Sequence, residues 1–171
     1  KNDYTIMLPV LDIRDLTLEC INHLARQSKF DIIVIYDNGD HSEVKIDDPK
    51  IKFIKNKTAK GLSSLWNMCI RECPTEYVII ASWRPRPLKY HFELMDTKLS
   101  EGYAVVALCT MHFFAFSKHL TTIIGWFDEG FKKGQYEDSD YWNRMYVNDL
   151  GFYVSDELYE QPQVSMWRDG K

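Results

Sequence analysis

Short apolar runs rich in β-branched residues recur along the first two thirds of the chain, and stretches with helical periodicity separate most of them. Leu16, Cys20 and Leu24 lie four positions apart, which is typical of a helix that packs one face on a sheet. The predicted strands are residues 4–8, 30–36, 51–54, 77–81 and 103–108, and the predicted helices are residues 13–27, 88–100 and a stretch from about 62 to Pro74. Pro9 is expected to end the first strand, because proline has no N–H to donate.

The last third of the chain is less regular but predicts the same kind of elements. Residues 111–116 are predicted as a strand, at an edge or antiparallel, and Ser117 is expected to cap a short helix through Ile124. A helix over residues 137–149 and a strand over 152–155 complete the pattern. Alternating strands and helices predict an α/β fold with right-handed crossovers, a mostly parallel sheet and helices on both faces. No repeat or linker divides the sequence, so one domain is expected over residues 1–171.

Composition narrows the class of protein. The 171 residues are 45% hydrophobic, which is enough for one substantial core. The net charge of −4 comes without a basic stripe, so nucleic-acid readout is not expected. The four cysteines form no CxxC pair, which favours reduced thiols and a cytoplasmic protein. No apolar run is long enough to span a membrane, and the start does not resemble a signal peptide.

Polar residues follow each of the first four predicted strands. In an open parallel sheet, ligands bind beyond the carboxyl ends of the strands. Each of these four groups of polar residues also has a purely structural explanation, as a helix cap, a turn or a loop hinge. The sets are Asp12 with Arg14, residues 37–40, residues 56–64, and residues 82–86. Neither GxGxxG nor GxxxxGK[ST] is present, so a nucleotide would need another contact, such as Asp37 accepting from a base N–H.

An aromatic and acidic segment, Trp126-Phe127-Asp128-Glu129-Gly130-Phe131, precedes the helix that opens with Glu137-Asp138-Ser139-Asp140. Acids at a helix start are stabilised by the helix dipole by about 0.3 to 1 kcal/mol each, without any catalytic role. A carboxylate there is also suited to take the proton of an attacking hydroxyl.

These pieces, in this order, resemble the GT-A glycosyltransferases, specifically the large family 2 group, over residues 4–155. The segments that carry the resemblance are residues 7–10 with Asp12, residues 32–40, Asn56 with Gly61 and Asn67, residues 76–80, residues 125–131, and residues 137–140 with Arg144.

The resemblance implies a nucleotide-diphosphate-sugar donor, with a UDP-sugar expected, and a glycan or other hydroxyl acceptor. Asp138 would be the general base, with Glu137 beside it, and attack opposite the leaving diphosphate would invert the anomeric centre. Trp126, Asp128 and His112 are the candidates for contact with the acceptor or the sugar. The donor nucleotide would be bound by Pro9, Val10, Asp12, Asp37, Asn56, Gly61 and Asn67.

The sequence departs from the family where the fourth strand ends. Members usually carry a DxD motif there, whose acids hold a divalent metal, but this chain has Ser82-Trp83-Arg84-Pro85-Arg86. In one interpretation, Arg84 or Arg86 binds the diphosphate in place of Mn²⁺ or Mg²⁺ and no metal is required. In the other, activity has been lost and the domain binds a glycan, a sugar nucleotide or a protein. Arg168, near the end of the chain, is a further candidate for phosphate binding.

Overall fold

The computed structural model describes residues 2–10, 15–37, 46–58, 60–131, 136–155 and 158. Within these ranges strands and helices alternate as the sequence predicts. The strands are β1 (Tyr4–Val10), β2 (Asp31–Tyr36), β3 (Ile51–Lys55), β4 (Tyr77–Ala81), β5 (Val105–Ala107), β6 (Phe113–Ser117) and β7 (Phe152–Val154). The helices are α1 (Asp15–Gln27), α2 (Leu62–Glu72), α3 (Lys89–Ser100), α4 (Leu120–Ile124) and α5 (Glu137–Val147).

The strands form one sheet in the order β3-β2-β1-β4-β6-β5-β7. Only β6 runs against its neighbours, whereas the other paired strands are parallel. The predicted α/β class and mostly parallel sheet are therefore confirmed. The carboxyl ends of β1, β2 and β4 meet at one edge of this sheet, together with the start of β6.

Helices cover both faces of the sheet because β1 alternates its side chains between two cores. Ile6 and Leu8 belong to the core covered by α1 and α3, whereas Met7 belongs to the core covered by α2, α4 and α5. All four cysteines are buried and free, in agreement with the prediction of reduced thiols.

The prediction that Pro9 ends the first strand is wrong, since β1 continues to Val10 in register with β2. The carbonyl of Val10 accepts from the N–H of Asp37 at 2.9 Å, so Val10 faces β2 and Pro9 faces the other side. Pairing with β4 has already stopped at Met7. The missing N–H of Pro9 therefore falls where β1 has no partner strand to bond.

The strand at residues 111–116 was predicted to lie at an edge or to be antiparallel. It corresponds to β6, which is antiparallel and lies inside the sheet between β4 and β5. A tight turn through Thr110, at φ +45°, reverses the chain, and β7 then adds outside β5. Ser117 is the last residue of β6 and not the cap of α4, whose N-cap position is His119.

Candidate active site

The carboxylate of Asp37 organises the loop that follows β3. Asp37 is fully buried at the end of β2. Its Oδ1 accepts from the N–H of Lys60 at 2.9 Å and its Oδ2 from the N–H of Gly61 at 3.2 Å, while Nδ2 of Asn56 lies 3.5 Å from Oδ1. The backbone N–H of Asn56 donates to Tyr36 O at 2.8 Å. The residues predicted after β2 and β3 are thus brought together.

Gly61 occupies the N-cap position of α2 with φ +87° and ψ 167°, a conformation that only glycine adopts readily. This backbone conformation lets its N–H point at Asp37 while α2 begins with the next residue. A side chain at this position would strain the turn that joins the loop after β3 to α2.

The segment after β4 is held firmly on α1. Sγ of Cys20 donates to the carbonyl of Pro85 at 3.6 Å, and Nε2 of His23 donates to the carbonyl of Pro87 at 2.8 Å. The N–H of Ser82 donates to His112 O at 2.7 Å, which ties the segment to the start of β6. Burial raises the pKa of the Cys20 thiol to about 12, so this thiol remains protonated as a donor.

The two arginines of this segment have different surroundings. Nη1 of Arg86 donates to the carbonyls of Trp83 and Arg84 at 2.7 and 3.1 Å, and Nη2 donates to Leu16 O at 3.2 Å. Glu19 lies 3.7 Å from Nε of Arg86. Arg84 is half-buried as a residue, and its guanidinium lies 5.5 Å from the ring centroid of Trp83. Arg86 is therefore engaged within the protein, which leaves Arg84 as the better placed of the two to meet a ligand.

His112 links the arginine segment with the start of α5. Partial burial lowers the pKa of its imidazole, the positive charge of Arg84 lowers it further, and the carboxylate of Asp138 acts in the opposite direction. Both charges therefore lie close enough to His112 to be felt by its ring. The segment after β4 and the first turn of α5 therefore both influence the ionisation of His112.

The two acids at the start of α5 differ in burial. Glu137 is only 4% exposed, and its Oε2 has no hydrogen-bond partner among the described residues. Asp138 is half-buried, and its Oδ1 accepts from the N–H of Ser139 at 2.7 Å. Tyr136, just before them, has φ +73°, which is unusual for a residue other than glycine. Asp138 is the more accessible of the two acids. Glu137 is buried, and one of its carboxylate oxygens accepts no hydrogen bond from the described residues.

Arg144 fixes α5 against the chain that precedes it. It binds Oδ2 of Asp140 through two nitrogens at 2.6 and 3.0 Å, and its Nη1 donates to Ile124 O at 2.7 Å and Trp126 O at 2.8 Å. Arg144 is six residues beyond Asp138, which is about 9 Å along the helix axis. The exposed ring of Trp126 lies 5.8 Å from the guanidinium of Arg71, in the last turn of α2. The exposed ring of Trp126 therefore packs near the last turn of α2, while its carbonyl accepts from Arg144 of α5.

Asn67 was predicted to contact the donor, but its amide binds the aromatic and acidic segment. Its Nδ2 donates to Phe127 O and its Oδ1 accepts from Phe127 N, both at 2.9 Å. Nδ2 also donates to Oε1 of Glu129 at 2.9 Å, and Oγ of Ser64 donates to Oε2 at 2.8 Å. Sequence reasoning assigned no role to Glu129. The three-residue spacing of Ser64 and Asn67, which puts two polar groups on one face of α2, was the available signal.

The remaining predicted residues are placed as follows. Pro9 and Val10 lie at the end of β1, beside Ile35 and Tyr36 of β2. Asp128 is exposed, and its Oδ1 accepts from the N–H of Gly130 in a local turn at 2.8 Å. Asp12, the polar residues 38–40 and Arg168 lie outside the described residues.

The side chains that follow β4 do not fit a divalent cation. Residues 82–87 offer one hydroxyl, one indole, two guanidinium groups and two prolines, whereas Mn²⁺ and Mg²⁺ require several oxygen ligands. Across the ranges that the structure describes, no group of three or more His, Cys, Asp or Glu side chains is arranged as a metal site.

Comparison with known proteins identifies the architecture. Residues 5–82, from β1 to the end of β4, match the model of the family described as glycosyl transferase family 2. The fold is that of the GT-A glycosyltransferases. The predicted resemblance to this group is therefore confirmed. No curated protein matches the chain by sequence.

Three solved structures illustrate the likeness. Residues 1–349 of TarS from S. aureus have a TM-score of 0.66 and 14% identity, over 90% of this chain and 58% of that one. The mannosyltransferase PcManGT from Pyrobaculum calidifontis, in complex with GDP-Man and Mn²⁺, has a TM-score of 0.71 and 12% identity. The match covers 92% of this chain and 56% of that one. GalNAc-T7, with UDP, GalNAc and Mn²⁺, has a TM-score of 0.74 and 8% identity. The match covers 90% of this chain and 42% of that one. This chain therefore spans only about half the length of the GT-A structures that it matches.

None of the helices in the described ranges combines the length and the apolar character that a bilayer crossing requires.

Proposed function

We propose that this domain is a glycosyltransferase that moves a sugar from a nucleotide-diphosphate donor to a hydroxyl acceptor with inversion. The observation that carries the proposal is that two opposite charges act on the imidazole of His112: Arg84 lowers its pKa and the carboxylate of Asp138 raises it. A cation suited to a leaving diphosphate and a carboxylate suited to an attacking hydroxyl would then both act near the same residue. They do so at the edge of the sheet where ligands bind in open parallel folds.

The donor nucleotide would bind beyond β1 and β2. A carboxylate has about four lone-pair sites. Among the described residues, two sites of Asp37 are used by the N–H groups of Lys60 and Gly61 and one accepts weakly from Asn56, so the fourth would accept from a base or ribose donor. Pro9 and Val10 would provide the apolar floor. A UDP-sugar is the expected donor, and GDP-mannose is a second probe because PcManGT was solved with it.

Asp138 would act as the general base. As the acceptor oxygen attacks the anomeric carbon, its proton passes to the carboxylate of Asp138 and the bond from that carbon to the diphosphate oxygen breaks. Attack from the face opposite the diphosphate inverts the centre. The buried, unpartnered Oε2 of Glu137 would accept a hydrogen bond from a substrate hydroxyl or a water, because such an acceptor costs about 1–3 kcal/mol when it stays unpaired.

The guanidinium of Arg84 would stabilise the negative charge that develops on the leaving diphosphate. In this proposal Arg84 takes the place that a metal holds in related transferases, and donor binding is independent of divalent cations. The prolines on either side of Arg86 and the contacts of Cys20 and His23 would hold the segment in one conformation.

Calorimetric titration with UDP-GalNAc, UDP-GlcNAc and GDP-mannose tests the proposal, each with Mn²⁺ and with EDTA. We expect one of them to bind with the same affinity in both conditions and to be hydrolysed slowly, with water as acceptor. Asp37→Ala should abolish this binding, whereas Asp31→Asn, an exposed carboxylate at the other end of β2, should not. Absence of binding by every donor would contradict the proposal and favour the catalytically inactive binding module.

A further inference from the structure

Two adjacent carboxylates in the segment before α5 are held in opposite ways. The Asp128 side chain accepts from the nearby N–H of Gly130, in a turn that any exposed aspartate can form. The Glu129 side chain reaches across to α2, where Asn67 holds one carboxylate oxygen at 2.9 Å and Ser64 holds the other at 2.8 Å. Glu129 is itself exposed, so its carboxylate is fixed in orientation and still open to solvent.

Glu129 is not the residue that joins this segment to α2. The segment is already joined to α2 by the two hydrogen bonds between Asn67 and the backbone of Phe127. Fixing a glutamate side chain costs up to about 2 kcal/mol of rotamer entropy, which the two hydrogen bonds from α2 offset. Both donors are buried, Asn67 at 2% and Ser64 at 8% exposure, so they hold the carboxylate in one orientation.

The contact with Ser64 brings the Glu129 carboxylate to the first turn of α2, beside the loop that follows β3. Ser64 is three residues beyond Gly61, whose N–H binds Asp37. Lys60, whose N–H binds the same carboxylate, also acts electrostatically on Glu129. The hydrogen bonds from Asn67 and Ser64 hold the pKa of the Glu129 carboxyl below its usual range, and Arg71 and Lys60 add to this, so the group is ionised at neutral pH.

We propose that Glu129 is a substrate-binding residue that accepts a hydrogen bond from a sugar hydroxyl, the function for which the sequence suggested its neighbour Asp128. This inference rests on the proposed transferase function. With one lone pair of each oxygen engaged by α2, no other donor among the described residues takes the second lone pair of either oxygen, which would accept from hydroxyl donors. The hydroxyl belongs either to the sugar of the donor or to the acceptor.

Glu129→Gln is the variant that separates binding from folding. The glutamine carbonyl can still accept from Asn67, and its NH₂ can donate to Ser64 Oγ, because a hydroxyl oxygen is also an acceptor. The side chain is then held as before, without its charge and with one acceptor oxygen replaced by a donor. The matched control is Glu72→Gln, which changes an exposed carboxylate in the last turn of α2, the helix that carries Ser64 and Asn67.

Binding of UDP-GalNAc and of UDP alone should be measured by calorimetry for each variant, together with GDP-mannose and GDP. If the donor sugar is the partner, Glu129→Gln weakens binding of the sugar nucleotide by about 10- to 100-fold and leaves binding of the nucleotide alone unchanged. If the acceptor is the partner, donor binding and donor hydrolysis remain normal, and inhibition of hydrolysis by added methyl glycosides is lost. Either result supports the proposal.

Ser64→Ala provides an independent check, because it keeps the charge of Glu129 but frees one oxygen. It should weaken the same step by a smaller factor than Glu129→Gln does. A purely structural Glu129 would instead lower the thermal midpoint without altering the difference between sugar nucleotide and nucleotide.

The proposal is overturned if the protein binds a donor and Glu129→Gln matches Glu72→Gln in all of these measurements. In that case the transferase function stands and only the role of Glu129 falls. If the unmodified protein binds no nucleotide or sugar nucleotide, the transferase function fails and the role of Glu129 fails with it.

Discussion

The side-chain amide of Asn67 pairs with the backbone of Phe127 through both of its ends, Nδ2 donating to the carbonyl and Oδ1 accepting from the N–H, each at 2.9 Å. Both residues are buried, at 2% exposure. The pair joins α2, which begins beside Asp37, to the segment that leads into α5. One buried amide therefore connects the two halves of the candidate site.

Removing this amide should destabilise the protein. Asn67→Ala leaves the N–H and carbonyl of Phe127 buried without their partner, at about 1–3 kcal/mol each, so we expect the free energy of unfolding to fall by about 2–5 kcal/mol. Urea denaturation followed by tryptophan fluorescence measures it. Asn148→Ala removes an exposed amide that donates to Arg144 O at 2.8 Å and should cost less than about 1 kcal/mol. Equal losses in the two variants would be evidence against a joining role for Asn67.

The two arginines after β4 should separate into a binding and a structural residue. Arg84→Ala should weaken UDP binding by about 10- to 100-fold with little change in stability. Arg86→Ala removes hydrogen bonds to the carbonyls of Trp83, Arg84 and Leu16, so it should lower the free energy of unfolding by about 1–3 kcal/mol and affect UDP affinity less. Calorimetry and urea denaturation of the same preparations check both. The reverse order of effects would mean that Arg86 binds the diphosphate.

Asp138→Asn should remove the proposed base while preserving the helix start. Turnover of the donor should fall by about 10² to 10⁴, the usual contribution of a positioned base, with donor affinity nearly unchanged. Asp149→Asn is the control, because it neutralises an exposed acid just beyond the other end of α5. A collapse of donor affinity in Asp138→Asn would assign the residue to donor binding.

His112 reports the charges on either side of it. Its pKa lies below the usual histidine range because of burial and Arg84, so Arg84→Ala should raise it and Asp138→Asn should lower it further. NMR titration of the ring proton, assigned by its loss in His112→Gln, measures both changes. Identical titration curves in all three proteins would show that neither charge acts on the ring.

The same shift predicts a dependence of stability on pH. Because folding depresses the pKa of His112, the unfolded chain binds more protons than the folded one below the unfolded pKa of about 6.5. Stability contributed by the neutral ring should therefore be complete above that pH and decline as pH falls through the folded pKa. Urea midpoints at several pH values should show a smaller decline in His112→Gln.

Local patterns predicted most of the fold because strand and helix periodicity is set by near neighbours in the chain. The bounds of β4 were predicted without error, and the end of α1 at Gln27 was also correct. The prediction for Pro9 was wrong because a proline ends a strand only where a neighbouring strand needs its missing N–H. Whether such a neighbour is present depends on the sheet order and on where each pairing stops. The interior position of β6 likewise follows from the sheet order, because β4 pairs with one of its sides and β5 with the other.

The candidate site was predictable in composition but not in the direction of its side chains. Acids and arginines were expected at the strand ends and at the start of α5, and Asp37, Arg84 and Asp138 are there. The contact of Arg86 with the carbonyl of Leu16 in α1 joins residues that are seventy positions apart, so the sequence alone did not separate Arg86 from Arg84. The link between Glu129 and α2 spans more than sixty residues, and the spacing of Ser64 and Asn67 on α2 did not indicate which residue they would bind.

A crystal structure of the protein soaked with the sugar nucleotide that binds best in calorimetry tests the central claim most directly. The account predicts the base or ribose against Asp37, the diphosphate within hydrogen-bond distance of Arg84, and the anomeric carbon facing Asp138. A nucleotide bound elsewhere, or a diphosphate turned away from Arg84 with protein between the sugar and Asp138, would contradict it.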